Sequence, residues 1–338
     1  MAMVVGGIAT SHSPQVSLPG RQWPAYGQQE MGSGRLARIP YRTQRTGDLS
    51  RELVSAVVEE RAQRCQIAVA RLIDQIAAQR PDILIVIGDD QNELYLNEGI
   101  PAFAVFAGEE IWDLPPGAGA YPSGMKDAYY AYHAAEPEAY PGASSLALHA
   151  AASLNEEGFD LTVSRVQPAG RGLGHAFTFP RRRLLPGGPK SLLAVSVNTY
   201  FPPNQPTPAR CFEFGRSLRR AVESWPDDAR VTFVASGGLS HPIVDEDLDQ
   251  AVLDALEKGD PASLRELPTK DLFEGNSEIR NWIVVGSALA DMRFTTADYV
   301  PGYRSPVGSG CGMGFGWWSQ TNMSRSRRDL DHKEGSGH

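Results

Sequence analysis

The sequence predicts a single α/β domain, with a mostly β-sheet core flanked by helices. Three features lead there. Residues 82–88 form a continuous β-branched run, the pattern of a strand covered on both faces. The preceding stretch, residues 49–79, carries Leu53, Val54, Val57, Val58, Ala62, Ile67, Ala68, Leu72, Ile73 and Ile76 at spacings of three and four, as one or two amphipathic helices ending before Pro81. Strand and helix patterns then alternate to the end of the chain.

In order, the first strand is expected over residues 4–9, followed by the polar Thr10-Ser-His-Ser-Pro14. Residues 14–48 are rich in Gly, Pro, Gln and Arg with scattered Trp23, Tyr26, Met31 and Tyr41, and read as a long active-site loop whose Trp23, Tyr26 and Met31 could close over an aromatic ring. Further strands are expected at 102–106, 161–166, 191–197 and 230–235, and helices at 144–154, 210–225, 245–258 and 277–292. The glycine-rich "GSGCGMGFGWW" after the last helix reads as packed backbone with aromatic anchors. Residues 1–323 are thus assigned to one domain, and the polar, charged residues 324–338 to a disordered tail.

Composition narrows the function classes. The chain has 338 residues, 41% hydrophobic and 21% charged, with a net charge of −8. No basic run precedes the tail, so phosphate neutralisation is a poor basis for binding and nucleic acid is not an expected partner. No apolar stretch of about 18 residues suggests a membrane span, and the start lacks a signal-peptide pattern, so a cytoplasmic protein is expected. Cys65, Cys211 and Cys311 are odd in number and widely spaced, which predicts buried reduced thiols. The expected partner is a small aromatic molecule. A homodimer is the general expectation for such a chain.

Outside the tail lie His12, His133, His149, His175 and His241. His133 and His149 fall in helical patterns, where a structural role is the simpler reading. His12, in "ATSHSP", and His241, closing "VASGGLSHP", follow strands; His175 sits in "GRGLGHAF". Ligands bind at the strand ends of open α/β sheets, so all three histidines, read as standing at such ends, are candidates for chemistry. Gly237 and Gly238 permit a tight turn or close approach beside His241. There is no Walker loop, no dinucleotide-type glycine motif after a strand and no Gly-x-Ser-x-Gly elbow, which makes Ser236 and Ser240 poor nucleophiles.

Taken together, "GGIATSHSP", "GHAF", "SGGLSHP" and "NSEIRNWIVVGSAL" resemble the class III extradiol ring-cleavage dioxygenases, the group of the protocatechuate 4,5-dioxygenase catalytic subunit and gallate dioxygenase. The resemblance implies a ferrous site of two histidines and one glutamate with open positions for a catecholate and dioxygen. It implies His12 as one ligand, Glu278 as the carboxylate, His241 as the acid/base for the phenolic proton, and His175 as a second histidine contacting substrate or oxygen. The family's other histidine ligand follows an Asp at the end of the strand at residues 82–88; here the pair is Asp90-Gln91. Gln91 therefore falls at a metal position, and Gln91 and Asp90 beside the substrate. An amide oxygen is a weaker donor than imidazole, so Fe(II) affinity should fall; His12, Gln91 and Glu278, helped by Asp89 or Asp90, would hold an oxygen-preferring metal or none.

Three functions are consistent with these residues. The chain is an extradiol dioxygenase acting on a catecholic or lignin-derived phenol, or a metal-independent lyase, decarboxylase or isomerase using His241, His175 and Glu278 on such a phenol, for example eliminating formaldehyde. The third is a non-catalytic partner subunit, against which the retained His12, His175, His241 and Glu278 argue. Arg171 is a candidate partner for an anionic group on the ring.

Overall fold

The computed structural model describes residues 1–34, 36, 39, 48–116, 123–185, 187–188 and 191–321. The tail assigned to 324–338, and part of the expected 14–48 loop, lie outside these residues. Element order is β1 (Met3–Thr10), α1 (Trp23–Gly32), α2 (Ser55–Gln79), β2 (Ile83–Gly88), β3 (Phe103–Phe106), β4 (Glu110–Asp113), β5 (Glu138–Pro141), α3 (Ser144–Glu156) and β6 (Thr162–Ser164). The chain continues with α4 (His175–Phe179), β7 (Ser191–Val197), α5 (Pro208–Ser224), β8 (Arg230–Ser236), α6 (Glu246–Glu257), α7 (Ile279–Ala288), β9 (Arg293–Tyr303) and β10 (Gly310–Ser319).

Among the described residues, eight strands form one mixed sheet in the order β6-β3-β7-β2-β8-β1-β10-β9, while β4 and β5 pair separately. The centre, β7-β2-β8-β1, is parallel throughout. Antiparallel strands flank it, β3 on β7 and β10 on β1. This bears out the α/β expectation, and the reason is visible in β2. Its Ile83, Ile85 and Ile87 join the core under α3, α5 and α7, whereas Leu84 and Val86 join Cys65, Val69 and Leu72 of α2 on the other face. Each such buried aliphatic side chain stabilises by about 1.5–3 kcal/mol, so a strand apolar on both faces is held between two helical layers. Helix α2 stops where Arg80 turns left-handed, at φ 46°, immediately before Pro81.

Several expectations are corrected. Residues 14–48 are not simply a loop: two short 3-10 turns and α1 occupy much of the described part, with Pro24 in the first turn of α1, where its missing N–H costs nothing. Trp23 is fully buried in the α2-side core and Met31 is exposed, so of the three side chains expected to close over a ring only Tyr26 lines the cavity. The glycine-rich C-terminal segment is a full strand, β10. Its odd-numbered Cys311, Met313 and Phe315 pack toward α2, while the glycines between them leave the other face bare for Asp249 at Gly312 and Trp282 at Gly314. Strands β4, β5 and β9 were also not anticipated. The expected 277–292 helix begins as a 3-10 turn, Glu274–Glu278, and becomes α-helical at Ile279.

A Cβ at Gly314 would lie 2.9 Å from Trp282 Cη2 and 3.0 Å from Leu239 Cδ1, whereas one at Gly32 would meet nothing within 4 Å. Gly314→Ala should therefore cost about 1–3 kcal/mol of stability in urea unfolding, and Gly32→Ala should not. Equal midpoints for the two variants would contradict the packing described for β10.

Candidate active site

The four parallel strands end on one side, and the functional side chains come from the segments just beyond those ends. His12 lies two residues beyond β1, Asp89 and Gln91 come after β2, Tyr200 after β7, and the Gly237-Gly238 turn leads from β8 to His241. Together with Glu278, at the cap of α7, most of these line a cavity of about 980 Å³. Tyr26, Leu114, Tyr132 and Leu173 supply apolar and aromatic wall. His175, expected after a strand, instead opens the short helix α4.

Glu278 is the hub. Its Oε2 accepts the Gly238 N–H at 2.7 Å, and its Oε1 accepts the Tyr200 hydroxyl at 2.7 Å and faces His241 Nε2 at 3.1 Å. Burial works to raise its pKa, but the charge of His241 and these hydrogen bonds hold it well below the usual carboxylate range. The glycines of "SGGLSH" have a steric reason: a Cβ at Gly237 would come 3.1 Å from Glu278 Cβ, and one at Gly238 2.8 Å from Cys311 Sγ. His241 is oriented by its backbone N–H to Asn276 Oδ1 at 2.8 Å, and its Nδ1 lies 3.0 Å from the Leu239 carbonyl. Burial lowers its pKa, yet Glu278 and Cys311 together more than offset this and raise it well above the ordinary histidine value.

His12 is buried, with Nδ1 3.0 Å from Ser236 Oγ and Nε2 3.5 Å from Glu278 Oε2. Burial pushes its pKa down to about 3, which leaves the neutral imidazole that metals bind. Asp89 accepts Gln91 Nε2 at 3.0 Å and Asn281 Nδ2 at 3.3 Å, both neutral donors. Burial first, and then the charge of Glu278, push its pKa upward. Ligand atoms of His12, Asp89 and Glu278 all lie within 4.8 Å of one another, close enough for one divalent ion to reach all three. The imidazole and two carboxylates fit such an ion, which would relieve the repulsion between the two buried acids.

Gln91 is at the site, its Nε2 also 3.4 Å from Glu278 Oε1. Asp90, expected beside the substrate, is turned back into its own loop: its carboxylate accepts the backbone N–H groups of Glu93, Leu94 and Tyr95, and it is absent from the cavity wall. That loop carries Glu93, whose carboxylate takes both the N–H and Nδ1 of His175, at 3.0 and 2.9 Å. Burial opposes charge on both, but each holds the other: His175 is raised to about 9 and Glu93 lowered to about 2. The His175 ring meets His12 edge to face at 4.7 Å between centroids.

Glu93 and Tyr200 were missed as site residues by sequence reasoning. Tyr200 carried a usable signal, since β7 is followed by the polar Asn198-Thr199-Tyr200 just as β1 and β8 end in polar residues leading to histidines. His133, set aside as structural, lines the cavity with Nδ1 3.1 Å from the Leu114 carbonyl; His149 pairs with Ser224 Oγ at 2.9 Å, away from the site. Arg171 lines the cavity but is engaged by Glu98 and by the Leu94 carbonyl. The three cysteines are buried and unlinked, as expected, with Cys311 at the cavity wall. No helix among the described residues is long and apolar enough to cross a membrane.

Residues 55–300 match the family model described as the catalytic LigB subunit of aromatic ring-opening dioxygenase, and the chain belongs to that family. It is also 32% identical over 164 residues to gallate dioxygenase of Pseudomonas putida, covering 44% of this chain and 46% of that protein. The chain thus spans about half the length of that curated relative. The matched family segment includes Gln91, His175, His241 and Glu278; His12 lies before it and joins the site through the β1–β8 pairing. That family is described by its catalytic ring-opening subunit, not by a metal-independent or non-catalytic chain.

A Cβ at Gly275 would overlap the His241 ring. Gly275→Ala should therefore displace that ring and lower turnover by about 10²-fold or more, the scale of a lost acid/base group, while the thermal unfolding transition stays cooperative. Turnover within about twofold of the parent would show that His241 is not held in its working position by this contact.

Proposed function

We propose that this chain opens the ring of a catechol-type aromatic compound, such as a lignin-derived phenol, by inserting both atoms of dioxygen. The observation that carries this reading is the convergence of His12, Glu278, His241 and His175 on one aromatic-walled cavity, with the buried Asp89 within reach of His12 and Glu278, in a member of a ring-opening family.

His12 and Glu278, with a donor from the end of β2, would hold a divalent metal ion, Fe(II) being the one the family resemblance implies. The chemistry such an ion would supply is that of an electrophilic centre that activates a phenol toward dioxygen. The protein's own groups do the rest. His241 Nε2 is the acid/base position: it is the ring nitrogen turned toward Glu278 and Tyr200, while Nδ1 is directed at the Leu239 carbonyl, and the proton that Glu278 holds on Nε2 would be released, freeing it to take the phenolic proton, once a cation neutralises that carboxylate. Proton transfer by a positioned imidazole contributes about 10²–10⁴-fold to rate. His175, its Nδ1 taken by Glu93, has Nε2 left to donate to an anionic oxygen of the substrate. Tyr132, beside His175, fixes one wall by donating to the His12 carbonyl at 2.6 Å. The balance is one catechol and one dioxygen giving one ring-opened product: a ring C–C bond breaks and both oxygen atoms are retained.

The test is dioxygen uptake by protein reconstituted with Fe(II) or Mn(II) under anaerobic conditions and then given catechols and methoxylated phenols, with ¹⁸O₂ labelling of product. Both labels should appear in a ring-opened product, and His241→Ala should lose about 10²–10⁴-fold of that activity with its fold intact. Conversion of a phenol without dioxygen consumption would overturn the reading.

A further inference from the structure

We infer that Asp89, and not Gln91, completes the metal site with His12 and Glu278, so that the centre has one imidazole and two carboxylates and favours a hard divalent ion such as Mn(II). The inference takes its setting from the ring-opening reading, but its test does not depend on turnover.

Reach is the first argument. Asp89 offers a carboxylate oxygen within 4.8 Å of both the His12 and Glu278 ligand atoms, at the end of the strand next to β8. Gln91 presents the wrong atom. Its Nε2 points at Asp89 Oδ2 and Glu278 Oε1, at 3.0 and 3.4 Å. An amide nitrogen has its lone pair delocalised into the carbonyl and does not ligate a metal. Turning Oε1 inward would set an amide oxygen against two carboxylates and remove the donor between them, leaving acceptors facing acceptors in a buried site.

Charge is the second argument. Asp89 is fully buried, and both hydrogen bonds it accepts come from neutral amides, Gln91 and Asn281. Glu278 by contrast has the imidazole of His241 beside it. A buried carboxylate next to another carboxylate is costly unless a cation joins them. A divalent ion between them leaves no net charge on the first coordination sphere once the neutral His12 imidazole is added. In this arrangement Gln91 is a positioning residue that braces the two acids, one hydrogen bond to each.

Ligand type then selects the ion. Imidazole suits iron, copper and zinc, whereas carboxylate suits manganese and magnesium, so replacing one imidazole by a carboxylate shifts preference toward Mn(II) relative to a two-histidine site.

The experiment is Mn(II) titration of the metal-free full chain under argon, with free Mn(II) read by electron paramagnetic resonance, for the parent, Asp89→Asn and Gln91→Leu. The parent should bind one Mn(II), Asp89→Asn should weaken binding at least about tenfold and Gln91→Leu less than about threefold. The reverse ranking, or a parent that binds no Mn(II), overturns the inference. Pulsed measurements on the Mn(II)-loaded parent need no variant to fold: coupling to a single histidine nitrogen supports the assignment, and coupling to two overturns it. Absence of dioxygen uptake alongside the predicted ranking would remove the ring-opening reading and leave the ligand assignment standing; uptake alongside the reverse ranking would do the opposite.

Discussion

Two carboxylates, Asp89 and Glu278, are buried side by side where the parallel strands end, and the surrounding structure is organised around that cost. Removing an ionised carboxylate from water costs several kcal/mol, and a second beside it costs more. The polar groups nearby are placed to offset this: the Gly238 N–H, Tyr200 hydroxyl and His241 imidazole serve Glu278, while Asn281 serves Asp89 and Gln91 spans both. Glu278 stands at the N-cap position of α7 but makes no capping bond there, its carboxylate being committed to Gly238, Tyr200 and His241. A site that sets two buried carboxylates beside a neutral imidazole is matched to a cation.

Around this pair stands a second arrangement of the same logic. Asp90 uses its carboxylate to fold residues 93–95 into a tight loop, the loop delivers Glu93, and Glu93 holds His175 against His12. The acid run after β2 thus has a division of labour. Asp89 faces the centre, Asp90 shapes the backbone, and Glu93 sets a histidine. Buried charges paired in this way fix side-chain positions before substrate arrives, which is the preorganisation acid/base chemistry requires.

Much of this was legible in the sequence because strand ends are marked by a change from apolar to polar residues. The β-branched run of β2 and the periodicity of α2 defined two layers, and the histidines after β1 and β8 pointed to the site. His12, Gln91, His175, His241 and Glu278 do come together in one place. The hidden parts were hidden for physical reasons. Alternating glycines in β10 erased the propensity signal of a strand while serving its need for a bare face, and Pro24 within a Gly- and Gln-rich stretch masked α1. Of two adjacent acids, Asp89 and Asp90, only three-dimensional contacts decide which points at the centre and which at its own backbone.

The measurement that bears most directly on this account is anomalous scattering from a crystal of the protein soaked in Mn(II). The account predicts one strong peak bounded by His12 Nε2 and the carboxylates of Asp89 and Glu278, with the Gln91 amide outside the coordination sphere. A peak ligated by Gln91 but not Asp89, or one elsewhere in the molecule with this pocket empty, would contradict it.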